Sequence, residues 1–212
     1  MPASGAARAR HRHHQQAAKR RFINCPFDKN YEKLFLAPIA GLTGLGLTPR
    51  CVLEIPPTRS RLERLFELIE RCASSIHDLS RVELSLRRPR VPRFNMPFEL
   101  GLAVALSLSK GTHRWYLLEA RDYRLQASLS DMNGFDPHIH HGTPTGILTA
   151  LTNAFVKPGG QPAVGDLKRL YRAVKTFWAD LERRKRLSLF SPRAFRDIVI
   201  ASLRIAERPA IA

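Results

Sequence analysis

The sequence predicts an α/β domain built on a doubly wound parallel sheet, and two observations carry that prediction. Short apolar segments alternate with longer amphipathic segments throughout residues 22–157. Strands and helices that alternate in this way form right-handed βαβ units, whose strands are parallel. Polar residues also follow several of the short apolar segments, so the predicted strands end at one polar rim. We therefore expect four or five parallel strands with helices on both faces of the sheet.

Five strands and five helices follow in order along this region. The strands are predicted at residues 22–25, 48–55, 75–79, 114–119 and 138–140, and the helices at 31–45, 61–72, 96–108, 124–129 and 145–156. Pro26 stops the first strand, and Gly44 and Gly46 end the first helix. Asn95 is predicted to cap the third helix, and Pro97 is tolerated in its first turn. The order of these elements is typical of a flavodoxin-like fold.

Two segments flank the predicted domain. Residues 1–20 are a low-complexity run of Ala, Arg, His and Gln, which is typical of a disordered basic tail. Residues 158–165 have the composition of a linker, and residues 166–208 are predicted to form a helical extension of two amphipathic helices. We expect the apolar stripe of this extension to cover the α/β domain or to join two copies of the chain.

The net charge of +17 is unevenly distributed along the chain. Residues 1–21 contribute +6 and residues 158–212 contribute +7. Basic extensions attract nucleic acid or another polyanion by counterion release, and a solvated basic tail is the alternative that charge alone leaves open. No apolar run approaches the ~20 residues of a membrane-spanning helix, and the first 21 residues lack the apolar centre of a secretory signal. Three cysteines without CxxC spacing fit a reduced protein, so we expect a cytoplasmic location and no membrane partner.

The candidate ligand site lies at the carboxyl ends of the predicted strands. In a doubly wound sheet, ligands bind outside these ends where the strand order reverses, which for a flavodoxin-like order is between the first and third strands. The side chains expected there come from the ends of these two strands and from the start of the third helix: Asn24, Phe27, Asp78, Ser80, Arg81, Asn95 and Glu99. Asp78 and Glu99 are the two acids of this set, and we expect both carboxylates to line one cleft.

Three segments resemble a known group of proteins. Residues 22–35 are FINCPFDKNYEKLF, residues 75–81 are SIHDLSR, and residues 93–106 are RFNMPFELGLAVAL. Together they resemble the nucleoside deoxyribosyltransferase-like branch of the bacterial TIR-like proteins, over about residues 22–157. In that superfamily a helix start of the FELG type carries the glutamate that attacks the anomeric carbon of a nucleoside, or the catalytic glutamate of NAD hydrolases. The resemblance therefore implies that Glu99 is catalytic, that Asp78 binds the sugar or assists the leaving base, and that Asn24 lines the pocket.

The resemblance implies a hydrolase or transferase that acts on the N-glycosidic bond of NAD or a related nucleotide or nucleoside, in bacterial signalling or defence, without a cofactor or metal. Such cleavage passes through an oxocarbenium-like state, which a carboxylate stabilises by its charge or traps covalently. The loop before Glu99 departs from the family pattern, because RVELSLRRPRVPR (81–93) replaces a segment rich in aspartate and glycine. Its five arginines suit a phosphate-bearing ligand. The alternative is a non-catalytic nucleotide-binding or adaptor domain that engages a nucleotide signal, nucleic acid or a protein partner.

Other residues that invite a functional interpretation are expected to be structural. His138, His140 and His141 have no acid or cysteine partner at metal-ligand spacing, so we expect a solvated loop. Cys25 has no histidine paired with it along the sequence, which disfavours a catalytic thiol. Gly101 is expected to allow close packing of its helix or the close approach of a ligand.

Overall fold

The chain folds around a single five-stranded parallel sheet. The computed structural model describes residues 17–55, 60–82, 84, 91–157 and 159–207. Its strands are β1 (Arg20–Asn24), β2 (Thr48–Cys51), β3 (Ser74–Asp78), β4 (Arg114–Glu119) and β5 (His138–Ile139). Their order is β2-β1-β3-β4-β5, and every neighbouring pair is parallel. This order confirms the predicted flavodoxin-like class and places the strand-order reversal at the β1–β3 pair.

Seven helices with at least five described residues each surround the sheet. They are α1 (Glu32–Gly44), α2 (Arg61–Glu70), α3 (Asn95–Lys110), α4 (Arg124–Ser128), α5 (Pro144–Ala154), α6 (Val164–Lys185) and α7 (Pro192–Ala206). Successive side chains along each strand point to opposite faces of the sheet, and each face packs against its own layer of helices. On β1, Phe22 packs with Leu65 and Ile69 of α2, whereas Ile23 packs with Phe35 and Ile39 of α1. The period of two along β1 therefore gives each helical layer its own core.

Two local predictions were wrong. β2 ends at Cys51 rather than at Ile55, and a 3-10 turn follows at Val52–Glu54. The Glu54 side chain causes this turn, because its Oε1 accepts the backbone N–H of Cys51 at 3.1 Å and the Nε–H of Arg50 at 2.8 Å. Asn95 is not a cap, since it is the first residue of α3 and no side chain bonds to the N-terminus of that helix.

The two C-terminal helices complete the core by covering α1. Every residue of α1 from Leu34 to Thr43 is buried, because the sheet and α5 cover one side of the helix while α6 and α7 cover the other. A Cβ atom at Gly44 would clash with Cδ2 of Leu167 on α6, so glycine allows this close approach without displacing the end of that side chain. The Thr43 hydroxyl lies 2.5 Å from the Ser202 hydroxyl of α7. The prediction that the extension packs against the domain is confirmed, and none of the described helices combines the length and apolar character needed to cross a membrane.

Some predicted features lie outside the described residues. They include residues 1–16 of the basic tail and Arg87, Arg88 and Arg90 of the arginine-rich loop. The two ends of that loop are described, and both carry arginines that bear on the site.

Candidate functional site

Asp28 ties together the elements that meet where the strand order reverses. Its Oδ1 accepts the backbone N–H groups of Asn30 at 2.9 Å and Tyr31 at 3.1 Å, and these bonds fix the turn that leads into α1. Its Oδ2 forms ion pairs with Arg93 at 3.0 Å and with Arg81 at 3.7 Å. One carboxylate thus links the chain after β1 to both ends of the arginine-rich loop after β3.

Asp78, at the end of β3, is buried under a set of hydrogen-bond donors. Its side chain is 2% exposed, and its Oδ2 accepts the Tyr31 hydroxyl at 2.5 Å. Its Oδ1 accepts the Ser80 N–H at 2.9 Å and lies 3.4 Å from His140 Nε2. Burial by itself raises the pKa of Asp78, but His140, Ser80 and Tyr31 together outweigh burial and hold the pKa below its usual value. The Asp78 carboxylate therefore stays ionised inside the protein.

His140 is a buried member of this cluster, so the prediction of a solvated loop was wrong for it. Its side chain is inaccessible to solvent, and its Nδ1 accepts the backbone N–H of Gly142 at 3.1 Å. In the neutral ring the proton therefore sits on Nε2, which faces Asp78. Gly146 is required here, because a Cβ atom at this position would clash with the His140 backbone carbonyl. The first turn of α5 thus packs directly over the histidine.

Glu99 is the second buried acid, and it differs from Asp78 because one of its carboxylate oxygens lacks a donor among the described residues. Its side chain lies in the second turn of α3, where the residue is 7% exposed, and among the described residues its Oε2 has no hydrogen-bond partner. Burial raises the pKa of Glu99 to about 7, although the positive charge of Arg61 opposes the shift. The two acids are thus set apart: one carboxylate is held ionised and the other is close to half protonated at neutral pH.

Cys25, just after β1, is affected by the charges of both acids. Burial is the largest cause of the raised pKa of its thiol, and the charges of Cys51, Asp78 and Glu99 raise it further. A buried thiol with a raised pKa is a poor nucleophile, which agrees with the interpretation of Cys25 as structural. The two acids are carried by different elements: Asp78 bonds to Tyr31 beside α1, whereas Glu99 belongs to α3.

Asn24 begins a chain of buried hydrogen bonds beneath α2 and α3. Its Nδ2 donates to the Met96 carbonyl at 2.9 Å and to His77 Nδ1 at 3.0 Å. His77 Nε2 lies 2.8 Å from Ser75 Oγ, which lies 2.9 Å from His113 Nε2. Burial lowers the pKa of His77 to about 3 and also lowers that of His113, so both rings are neutral and one consistent set of protons fits the chain. Asn24 thereby fastens the first turn of α3, which directly precedes Glu99, to β1 and β3.

The remaining predicted site residues fall into three different settings. Phe27 packs against Phe35 and Phe190, with ring centroids 5.9 and 5.6 Å apart, and lies half-buried against the core. Asn95 is exposed at the start of α3. Ser80 and Arg81 line an open cleft. Gly101 is exposed, and no described atom lies within 4 Å of a Cβ built on it, so close helix packing, the first of the two expected roles, was wrong. The close approach of a ligand stays a prediction.

This cleft has a volume of about 980 Å³ and opens over the ends of β3, β4 and β5. Its lining residues are Lys29, Asn30, Tyr31, Glu32, Lys33, Leu34, Ser80, Arg81, Ala120, Arg121, Arg124, His141 and Gly142. Of the described residues, neither Asp78 nor Glu99 lines it, although Tyr31 connects it to Asp78. No group of three or more His, Cys, Asp or Glu side chains in the described part of the chain is placed to hold a metal ion.

Fold and site together define a flavodoxin-like α/β protein with a polar centre at the carboxyl edge of its sheet. Comparisons with protein-family models, with curated proteins and with solved structures find no match for this chain. Sequence reasoning missed Tyr31 and His140 as partners of Asp78. The available signal was positional, because both residues follow strands whose ends meet at this edge.

Proposed function

We propose that the protein cleaves the N-glycosidic bond of NAD or a related nucleotide, with Glu99 as the catalytic carboxylate. One observation carries the proposal: Glu99 is buried near the strand-order reversal with an oxygen that has no partner among the described residues. An uncompensated buried acid is costly, so its presence favours function over stability. The resemblance of PFELG (97–101) to the helix start of the nucleoside deoxyribosyltransferase-like proteins supports the same role.

In the proposed reaction the bond between C1′ of the ribose and the base nitrogen breaks, and its electron pair leaves with the base. The positive charge that develops on C1′ is stabilised by ionised Glu99, or is trapped as a bond to its carboxylate oxygen. The oxygen of a water molecule then adds to C1′, and where C1′ is bonded to Glu99 this addition breaks the bond and releases the carboxylate. The added water loses a proton to the solvent. The products are the free base and a ribosyl group that carries a hydroxyl at C1′.

The pKa of Glu99 fits this role because the reacting form is the carboxylate. With a pKa of about 7, a substantial fraction of Glu99 is ionised at neutral pH, and burial keeps that charge poorly solvated. A positively charged substrate group, such as a nicotinamide ring, would lower this pKa on binding and favour the ionised form. We therefore expect kcat/KM to rise with pH through about 7.

Asp78 and Asn24 act through other groups in this proposal. The donors around Asp78 occupy its oxygens, so it positions Tyr31 and His140 at the carboxyl edge of the sheet. Asn24 holds the Met96 carbonyl and hence the first turn of α3, which directly precedes Glu99. Replacing either residue should reduce turnover less than replacing Glu99.

The test is to incubate the purified chain with NAD and a panel of nucleotides and nucleosides, and to measure released base by chromatography. Glu99→Gln preserves size and removes the charge, and it should lower turnover by about 100-fold or more. Glu182→Gln, at an exposed position on α6, is the matched control and should retain full activity. Base release at the wild-type rate by Glu99→Gln would overturn the proposal.

A nucleotide-binding domain without hydrolase activity is the second candidate. It is favoured by one observation, that the basic cleft is lined by neither Glu99 nor Asp78 among the described residues. Saturable nucleotide binding with no base release from any substrate of the panel would support this second function over the first.

A further inference from the structure

Basic side chains dominate the cleft that opens over Tyr31. Its lining includes five of them, Lys29, Lys33, Arg81, Arg121 and Arg124, and one acidic side chain, Glu32. A volume of about 980 Å³ lies within the range of nucleotide-sized ligand sites. The cations come from two walls, because the lysines flank the start of α1 whereas Arg121 and Arg124 follow β4.

The wall that follows β4 is fixed by a buried acid. Glu119 is the last residue of β4 and is almost fully buried, and its Oε2 accepts the Nε–H of Arg124 at 3.0 Å. Its Oε1 accepts a second bond from the same guanidinium at 2.5 Å and a bond from the Ala120 N–H at 2.5 Å. The Arg124 guanidinium also donates to the Leu79 carbonyl at 3.4 Å. This bidentate pair holds a planar cation in one orientation at the cleft.

The opposite wall carries positive charge that the described acids do not neutralise. Lys29 and Lys33 are exposed, and no acidic side chain of the described ranges forms an ion pair with either. At the junction of the two walls, Arg81 shares the single carboxylate of Asp28 with Arg93. Two guanidinium groups on one carboxylate leave a net positive charge.

We infer that this cleft binds a nucleotide through at least two phosphate groups, one against each wall. Two separated sets of cations match a diphosphate better than a single phosphate, and guanidinium and ammonium groups are the usual partners of phosphate oxygens. The inference adds a ligand site to the proposed function without depending on it, because neither wall includes Glu99 and binding requires no bond cleavage. It also extends the prediction that the arginine-rich loop suits a phosphate-bearing ligand, since Arg81 belongs to that loop and the other four cations lie outside it.

Calorimetric titration of the full chain with ADP, inorganic pyrophosphate and adenosine tests this site. ADP and pyrophosphate should bind with an affinity that falls as salt increases, and adenosine should not bind. The double variant Lys29→Gln/Lys33→Gln should weaken ADP binding by roughly tenfold or more. Its matched control is Lys168→Gln/Lys175→Gln on α6, which removes the same charge elsewhere and should change the affinity by no more than about twofold.

Three results would overturn the inference. They are the absence of ADP binding, equal loss of affinity in the control double variant, and displacement of ADP by an oligonucleotide at far lower concentration. The last result would identify the cleft as part of a nucleic-acid surface. Glu99→Gln should keep the wild-type affinity for ADP. The ADP titration therefore tests the phosphate site, and the base-release assay tests the hydrolase proposal independently.

Discussion

The Tyr31 hydroxyl donates a 2.5 Å hydrogen bond to Asp78 Oδ2, and this bond joins the start of α1 to the end of β3. Both side chains are buried, and burial together with the Asp78 charge raises the pKa of Tyr31 so that the hydroxyl keeps its proton. The same bond helps to hold the pKa of Asp78 below its usual value. A buried carboxylate is therefore stabilised from the wall of the ligand cleft, since Tyr31 also lines that cleft.

Tyr31→Phe should lower the free energy of unfolding by about 2 kcal/mol at pH 7, because the ionised Asp78 loses a strong donor. The folded pKa of Asp78 is depressed, so its stabilising effect is present above the unfolded value near 3.8 and is lost as pH falls below it. The difference between wild type and Tyr31→Phe should accordingly shrink in acid. Urea denaturation between pH 3 and pH 7 measures both effects.

Tyr171→Phe is the control for this substitution. Its hydroxyl donates to the Lys33 carbonyl at 3.3 Å in a solvent-exposed setting, so removing it should change stability by less than about 0.5 kcal/mol. Equal effects of the two substitutions would contradict a special role for the bond between Tyr31 and Asp78.

Two adjacent serines on β3 offer a matched test of the buried hydrogen-bond chain. Ser75→Ala leaves the facing nitrogens of His77 and His113 without their partner, and each unsatisfied group should cost about 1–3 kcal/mol. Ser74 is also buried, but among the described residues its hydroxyl has no hydrogen-bond partner, so Ser74→Ala should be close to neutral. Chemical denaturation of both variants measures their free energies of unfolding. A loss of stability in Ser74→Ala as large as that in Ser75→Ala would argue against a stabilising role for the buried hydrogen-bond chain.

The contribution of the packing of α7 on α1 to stability can be tested by replacing one buried and one exposed phenylalanine. Phe195 is 2% exposed and lies against Phe35, with ring centroids 6.3 Å apart, so Phe195→Ala should cost about 3–5 kcal/mol. Phe98, on α3, is 52% exposed, and Phe98→Ala should cost less than about 1 kcal/mol. Similar losses in thermal unfolding would show that α7 contributes little to the core.

The fold could be predicted from sequence because alternating periodicity fixes both the elements and the parallel pairing. Even the strand at Arg114–Glu119 was placed at its observed bounds, since a charged residue flanks its apolar run at each end. Element ends that depend on one side chain could not be predicted. The Glu54 side chain turns the backbone after Cys51 through a hydrogen bond that residue propensities do not predict. Similarly, α3 begins one residue earlier than expected and has no side-chain cap.

The site was predictable to the level of the sheet edge but not of the individual contact. Asp78 and Glu99 follow from topology, since the carboxyl ends of parallel strands share one edge. The partners of Asp78 are Tyr31 and His140. Tyr31 reaches Asp78 because of the turn before α1, and His140 reaches it because of the register of β5, and neither feature can be derived from the sequence pattern. His140 shows the limit most clearly, because three histidines in four residues resemble a solvated loop until α5 is seen to cover one of them.

Glu99 should make the stability of the chain depend on pH in a direction opposite to that of Asp78. Its folded pKa is about 7 against an ordinary value of 4.5, so between these values the folded chain holds a proton that the unfolded chain has lost. The free energy of unfolding therefore falls as pH rises through this window, and above pH 7 the full penalty, on the order of 3 kcal/mol, is present. Glu99→Gln removes the ionisation, so it should match wild type near pH 4 and be more stable at pH 8. Glu182→Gln is exposed and should show no such pH-dependent difference. Denaturation of the three proteins at both pH values measures the effect, and a Glu99→Gln difference that does not change with pH would mean that Glu99 ionises like a surface acid and lacks the desolvated charge on which the proposed catalysis rests.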